Sequence, residues 1–289
     1  MTTVEEYVVD LDGVKSRAIE LQGTGPPVLL LHGFTDSAET WLPVIERLRR
    51  GGRRALAIDL PGFGHAGHVD PRAPLLPQLD RAVVAALRRF PAGSHPIVAG
   101  NSLGGLAALR AAQDPELRIG AVVPIAPAGL TFTRWLQIIE RTAQFHGLLV
   151  HGLLTAPVPF PRPVFRRLVG QTYRNLVFST PSAADPGVVH RYARNVGDRA
   201  DLARMIRMAR RALPELSDPF DLARITCHVL VVWGLEDRLV PPAGAHEISA
   251  HLPGARIEIL EGCGHCPQVE APDIIAGLLD DVAGQLTGR

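Results

Sequence analysis

Between residues 26 and 33 the chain reads PPVLLLHG, an unbroken apolar run closed by glycine, the pattern of a strand buried on both faces. Next, TWLPVIERLRRGG (40–52) places apolar residues at helical spacing and stops at a glycine pair. The alternation then repeats: RRALAIDLPG (53–62) as strand, LLPQLDRAVVAALRRF (75–90) as helix, HPIVAG (95–100) as strand, LGGLAALRAAQ (103–113) as helix and IGAVVPIAP (119–127) as strand. Such alternation predicts an α/β fold, a mostly parallel central sheet with helices on both faces. Around Gly129 the period changes. From about 130 to 220 only helical periodicity is present, in TFTRWLQIIERTAQF, VFRRLVGQTYRNLVF, GVVHRYARNV and DLARMIRMARRAL. Strand patterns return with CHVLVVWG (227–234) and ARIEIL (255–260), each followed by a helix. The expected organisation is a core of residues 1–128 and 221–289, interrupted by an all-helical cap at 129–220.

Composition narrows the partners. With 46% hydrophobic and 20% charged residues over 289 positions, the chain is too apolar to be disordered and long enough for one large domain with an insertion. A formal net charge of +1 provides no field for nucleic acid or an anionic membrane. Three cysteines are too few for a disulfide scaffold. The start, MTTVEEYVVDLDG, lacks a basic segment and an apolar core, so no secretory signal is visible. The longest apolar run, about GLLVHGLLTAPVPF, is too short and too proline-broken for a bilayer span. A cytoplasmic protein without stable membrane insertion is expected.

The most specific chemical signal is VAGNSLGGLAAL, in which Gly100-Asn101-Ser102-Leu103-Gly104 fits G-x-S-x-G between a predicted strand and a predicted helix. That junction is sharp, and its flanking positions must be small so that strand and helix pass closely. It would hold the Ser102 hydroxyl at the carboxyl end of the sheet, above a helix N-terminus whose partial positive charge favours an oxyanion. A serine needs a base to take its proton and a carboxylate to orient that base.

On these residues the chain resembles the α/β-hydrolase superfamily over nearly its whole length, with the helical insertion placed as in its capped carboxylesterase-like and lipase-like members. The resemblance implies the order nucleophile, acid, histidine. Its acid loop matches VVWGLEDRLVP (231–241) and selects Asp237 over the neighbouring Glu236; the loop after the last strand, GCGHCP, supplies His265. Its H-G-x oxyanion loop matches His32-Gly33-Phe34, so the N–H groups of Phe34 and Leu103 would converge on the substrate oxygen, each donor contributing about 3–4 kcal/mol in the transition state. His32 then reads as structural, and DLPGFGHAGH (59–68) as a scaffold turn with His65 and His68 as loop residues.

Cys263-Gly264-His265-Cys266 also offers a Cys-x-x-Cys reading, but it falls late in a large sheet and not at the helix N-terminus that lowers a redox thiol's pKa. Cys263, His265 and Cys266 are too tightly spaced to close a zinc tetrahedron. Both cysteines read as packing residues, with Cys266, next to the base, expected to react with thiol reagents. No metal or organic cofactor is implied.

The expected reaction is acyl transfer through an acyl-enzyme on a small apolar ester or related acyl substrate, with Phe132, Trp135 and Phe160 of the cap as candidate lining residues. Thioesters and transfer to an alcohol use the same intermediate. The C–C hydrolases acting on meta-cleavage products share the G-N-S-x-G-G elbow. This chain, however, has HGFTDSAETW in place of their Gly-rich stretch, and Cys266 where they carry a Trp after the histidine. A catalytically idle binding protein is the non-enzymatic alternative, against which the intact set Ser102, Asp237 and His265 argues.

Overall fold

The computed structural model describes residues 3–130 and 161–288. One eight-stranded sheet organises them: β1 Val4–Leu11, β2 Val14–Leu21, β3 Thr24–Leu31, β4 Arg53–Ile58, β5 Ile97–Asn101, β6 Ala121–Ile125, β7 His228–Gly234 and β8 Arg256–Leu260. Their order across the sheet is β1-β2-β4-β3-β5-β6-β7-β8. From β4 to β8 every pairing is parallel, while β2 runs against both of its neighbours.

The helices that cover the sheet are α1 Leu42–Arg50, α2 Leu75–Leu87, α3 Leu103–Ala112, α7 Gly244–His251 and α9 Pro272–Thr287. Within the expected insertion the described residues form α4 Arg162–Val177, α5 Pro186–Asn195 and α6 Arg199–Ala212, with no strand among the described part of 129–220. A one-turn helix α8, Pro267–Glu270, precedes α9.

The continuous apolar runs are explained by the pleat. Val28 and Leu30 of β3, with Ala55 and Ala57 of β4, join one core with Val44, Ile45 and Leu48 of α1 and Ile275, Leu279 and Val282 of α9. Leu29 and Leu31, with Leu56 and Ile58, join the other with Leu79 and Val83 of α2 and Leu106 and Leu109 of α3. Successive side chains point to opposite faces, so a strand covered on both sides has no polar face to show. Each fully buried Leu contributes about 1.5–3 kcal/mol.

One pair of strands is absent from the predicted alternation. β1 and β2 form a hairpin in register from Val4↔Leu21 to Leu11↔Val14. β1 is the sheet edge with its outer face in solvent, which breaks the apolar run that marks the inner strands. The turn carries a clear local signal: Asp12 and Gly13 both have positive φ, 57° and 86°, the conformation that Asp-Gly adopts in two-residue hairpins. Among the described residues no helix is long and apolar enough to cross a membrane.

Candidate active site

The loops leaving the carboxyl ends of β3, β5, β7 and β8 carry Phe34, Ser102, Leu103, Asp237 and His265, as expected for a parallel sheet. Ser102 sits between β5 and α3 with φ 53° and ψ −112°, a region that non-glycine residues seldom occupy. Space forces that shape. A Cβ on Gly100 would collide with the Gly104 carbonyl, and one on Gly104 with the Leu31 and His32 carbonyls. Strand, helix and the β3 loop therefore pass at backbone contact, and only glycines fit. Leu103 opens α3, where N–H groups lack intrahelical partners. Gly33 lies against the elbow: a Cβ there would stand 3.5 Å from Ser102 Cβ.

Asp237 and His265 meet. His265 Nδ1 lies 2.7 Å from Asp237 Oδ2, with both residues buried. The other carboxylate oxygen, Oδ1, accepts the Leu239 N–H at 2.8 Å and the Val240 N–H at 2.9 Å. Trp233 of β7 steadies the loop by donating Nε1–H to the Val240 carbonyl. Glu236 is exposed, and only its backbone faces inward, donating N–H to the Cys263 carbonyl. Of the two acids, Asp237 is the one whose side chain meets His265.

The His265 loop is fastened on three sides. Its own N–H donates to the Val177 carbonyl at the end of α4, 2.8 Å. Gly264 N–H donates to Glu270 Oε1, and the second Glu270 oxygen accepts from the Ser179 N–H and hydroxyl. The third tie comes from Asn101, whose Nδ2 donates to the His265 carbonyl at 2.8 Å and to the Ile125 carbonyl at 3.3 Å. The residue immediately before Ser102 thus holds the main chain of His265. Sequence reasoning passed over Asn101 and Glu270; a polar residue inside the elbow motif was the available signal for the first, and nothing local marks the second.

His32 is fully buried. Its Nε2 accepts the Leu60 N–H at 2.8 Å, so Nδ1 carries the proton and donates to the Gly33 carbonyl. Burial lowers its pKa and keeps it neutral. Asp59 accepts from the N–H groups of Ala38 and His65 and pairs with Arg17, which makes its turn a scaffold.

The cysteines behave unlike redox thiols. Burial pushes Cys263 up to about 11, and Cys266 well above the ordinary thiol value. Cys266, expected from its position to meet thiol reagents, is 4% exposed; the α8 turn and Tyr173 enclose it, which corrects that expectation. Cys263→Ser is expected to keep kcat within about threefold of wild type, because its sulfur only fills space; a loss comparable to that of His265→Ala in the same assay would restore thiol chemistry.

Asp36, two residues beyond Phe34, was also unmarked in sequence. Burial raises its pKa from 3.8 to about 7, opposed by hydrogen bonds from the Ser37 N–H and the Thr40 hydroxyl. The folded chain therefore holds a proton that the unfolded chain releases between about pH 4 and 7, and stability falls as pH rises through that window. Asp36→Asn, which cannot ionise, is expected to gain melting temperature over wild type progressively from pH 4 to 7. Melting curves that stay parallel across that range would contradict it. The cap candidates Phe132, Trp135 and Phe160 lie outside the described residues.

The alpha/beta hydrolase family model matches residues 28–278, spanning all the loops described above. The chain belongs to the alpha/beta hydrolase family. Among relatives of this hydrolase is the pimeloyl-[acyl-carrier protein] methyl ester esterase of Xanthomonas campestris pv. campestris (strain B100), 30% identical over 90% of this chain and 96% of that one. Two solved structures share the hydrolase fold. A bacterial membrane phospholipase A has a TM-score of 0.75 and 23% identity, covering 99% of this chain and 87% of that one. The 2-hydroxy-6-oxo-6-phenylhexa-2,4-dienoate hydrolase of Rhodococcus sp. strain RHA1 has a TM-score of 0.74 and 20% identity, covering 98% and 99%.

Proposed function

We propose that this hydrolase cleaves a carboxylic ester with an apolar portion through an acyl-enzyme on Ser102. The observation that carries the reading is the buried Asp237–His265 pair tied to Asn101, the residue before Ser102. His265 Nδ1–H donates to Asp237, which leaves Nε2 as the base for the Ser102 hydroxyl. Attack gives a tetrahedral oxyanion held by the N–H groups of Phe34 and Leu103. His265 then returns the proton to the leaving alcohol, and water repeats the cycle to release the acid. We propose further that the insertion at 129–220 serves as the cap of this site and determines its acyl specificity.

The relative from Xanthomonas is a methyl ester esterase, which favours an ester over a C–C substrate; the dienoate hydrolase supports only the fold at 20% identity. A series of p-nitrophenyl esters from acetate upward tests for an apolar acyl slot. Each buried methylene is worth up to about 0.8 kcal/mol, or roughly fourfold in kcat/KM. The series is expected to rise until the slot is full, with no turnover of a 2-hydroxy-6-oxo-dienoate run beside it. A flat or falling series would refute an apolar acyl slot, and cleavage of the dienoate would select the C–C reading.

A further inference from the structure

The segment that carries the proposed oxyanion donor Phe34 is strained. The Asp36 N–H donates to the Gly33 carbonyl at 3.3 Å, closing a turn with Phe34 and Thr35 at its centre. Thr35 has φ 63°, a position glycine or asparagine usually fills and a β-branched residue rarely does. Relaxing Thr35 out of that conformation would relieve the strain by opening the Gly33–Asp36 turn, which shifts the backbone of Phe34 with it.

Two bonds oppose that opening. The Thr35 hydroxyl donates to the Phe34 carbonyl at 2.6 Å. Its oxygen also contacts the Tyr192 hydroxyl of α5. Thr35 has a single hydroxyl hydrogen, already given to Phe34, so Tyr192 is the donor in the second bond. Burial raises the Tyr192 pKa, so the phenol keeps that proton. The ring itself is held: it stacks on Tyr173 of α4 with centroids 3.6 Å apart and planes 14° apart, and Tyr173 meets Phe178 edge-on. Three residues along α5, Asn195 Nδ2 donates to the Ser37 hydroxyl at 2.9 Å, so the helix grips this segment twice.

We infer that Tyr192 is a positioning residue for the oxyanion hole, bracing the strained Gly33–Asp36 turn that carries the Phe34 N–H toward the substrate oxygen. The inference rests on the Ser102 mechanism above. It assigns α5 a part in rate as well as in covering the site, since a mis-set donor costs transition-state binding and spares the ground state.

The test is a double-mutant cycle of Tyr192→Phe and Thr35→Gly, with Ser102→Ala assayed in parallel. Tyr192→Phe keeps the stacked ring and is expected to lower kcat about 3–10-fold, the range of one lost hydrogen bond, with KM within twofold. Glycine accepts φ 63° without strain, so in the Thr35→Gly background the same substitution is expected to change kcat less than twofold. An unchanged kcat in Tyr192→Phe overturns the inference. So does an equal loss in both backgrounds, or an effect on KM alone. Melting temperatures within a few degrees of wild type show that each variant is folded. Turnover that survives Ser102→Ala would instead sink the underlying mechanism, which separates the two failures.

Discussion

Ser102→Ala is expected to reduce kcat by about 10⁴–10⁶, the range for loss of a triad nucleophile, while leaving the fold intact. The structural roles of residue 102 belong to its backbone. Its N–H donates to the Ile125 carbonyl at 2.9 Å, and its carbonyl accepts from Leu106 and Ala128. Alanine keeps those bonds and the same backbone strain, so melting temperature is expected to move little. Residual turnover would come from binding and the oxyanion donors. A variant that keeps a tenth of wild-type ester turnover would refute the assignment of Ser102 as nucleophile.

Asp237→Asn is expected to be nearly as severe, with a loss of about 10³–10⁴ in kcat, and for a reason specific to this loop. The Leu239 and Val240 N–H groups both point at Oδ1. An asparagine would keep its oxygen on those donors and turn its NH₂ toward His265. Nδ1 would then have to accept, moving the imidazole proton to Nε2, where the Ser102 hydroxyl needs a lone pair. The packing would survive and the tautomer would be wrong. Asp237→Glu, which keeps the charge but lengthens the arm, is expected to lose less. Kinetics within tenfold of wild type for Asp237→Asn, in a folded variant, would show that this carboxylate does not orient the base.

Much of the fold was legible because burial on both faces leaves a continuous apolar signature. The β3 and β5 runs ended within a few residues of their observed ends, and the elbow glycines marked a junction where strand and helix must touch. The β1–β2 hairpin went unread since an edge strand with a solvent face has a weaker pattern, although Asp12-Gly13 was there to find. Asp237 and His265 were named by likeness to a motif, and their 2.7 Å contact is what the coordinates add. The Tyr192–Thr35 contact could not be read at all. Its partners lie 157 residues apart, and a tyrosine on an amphipathic helix looks the same whether it packs a cap or braces a turn. Cys266 shows the opposite error: nearness to the histidine in sequence suggested reactivity, whereas the fold encloses the sulfur.

A fluorophosphonate reacts with a serine only where a base and an oxyanion site activate it, so mapping the adduct by peptide mass spectrometry interrogates the site directly. One phosphonyl group per chain is expected on the peptide containing Ser102, absent in Ser102→Ala and formed at least a hundredfold more slowly in His265→Ala. An adduct on a different residue, or no adduct in a preparation that turns over ester, would contradict the account.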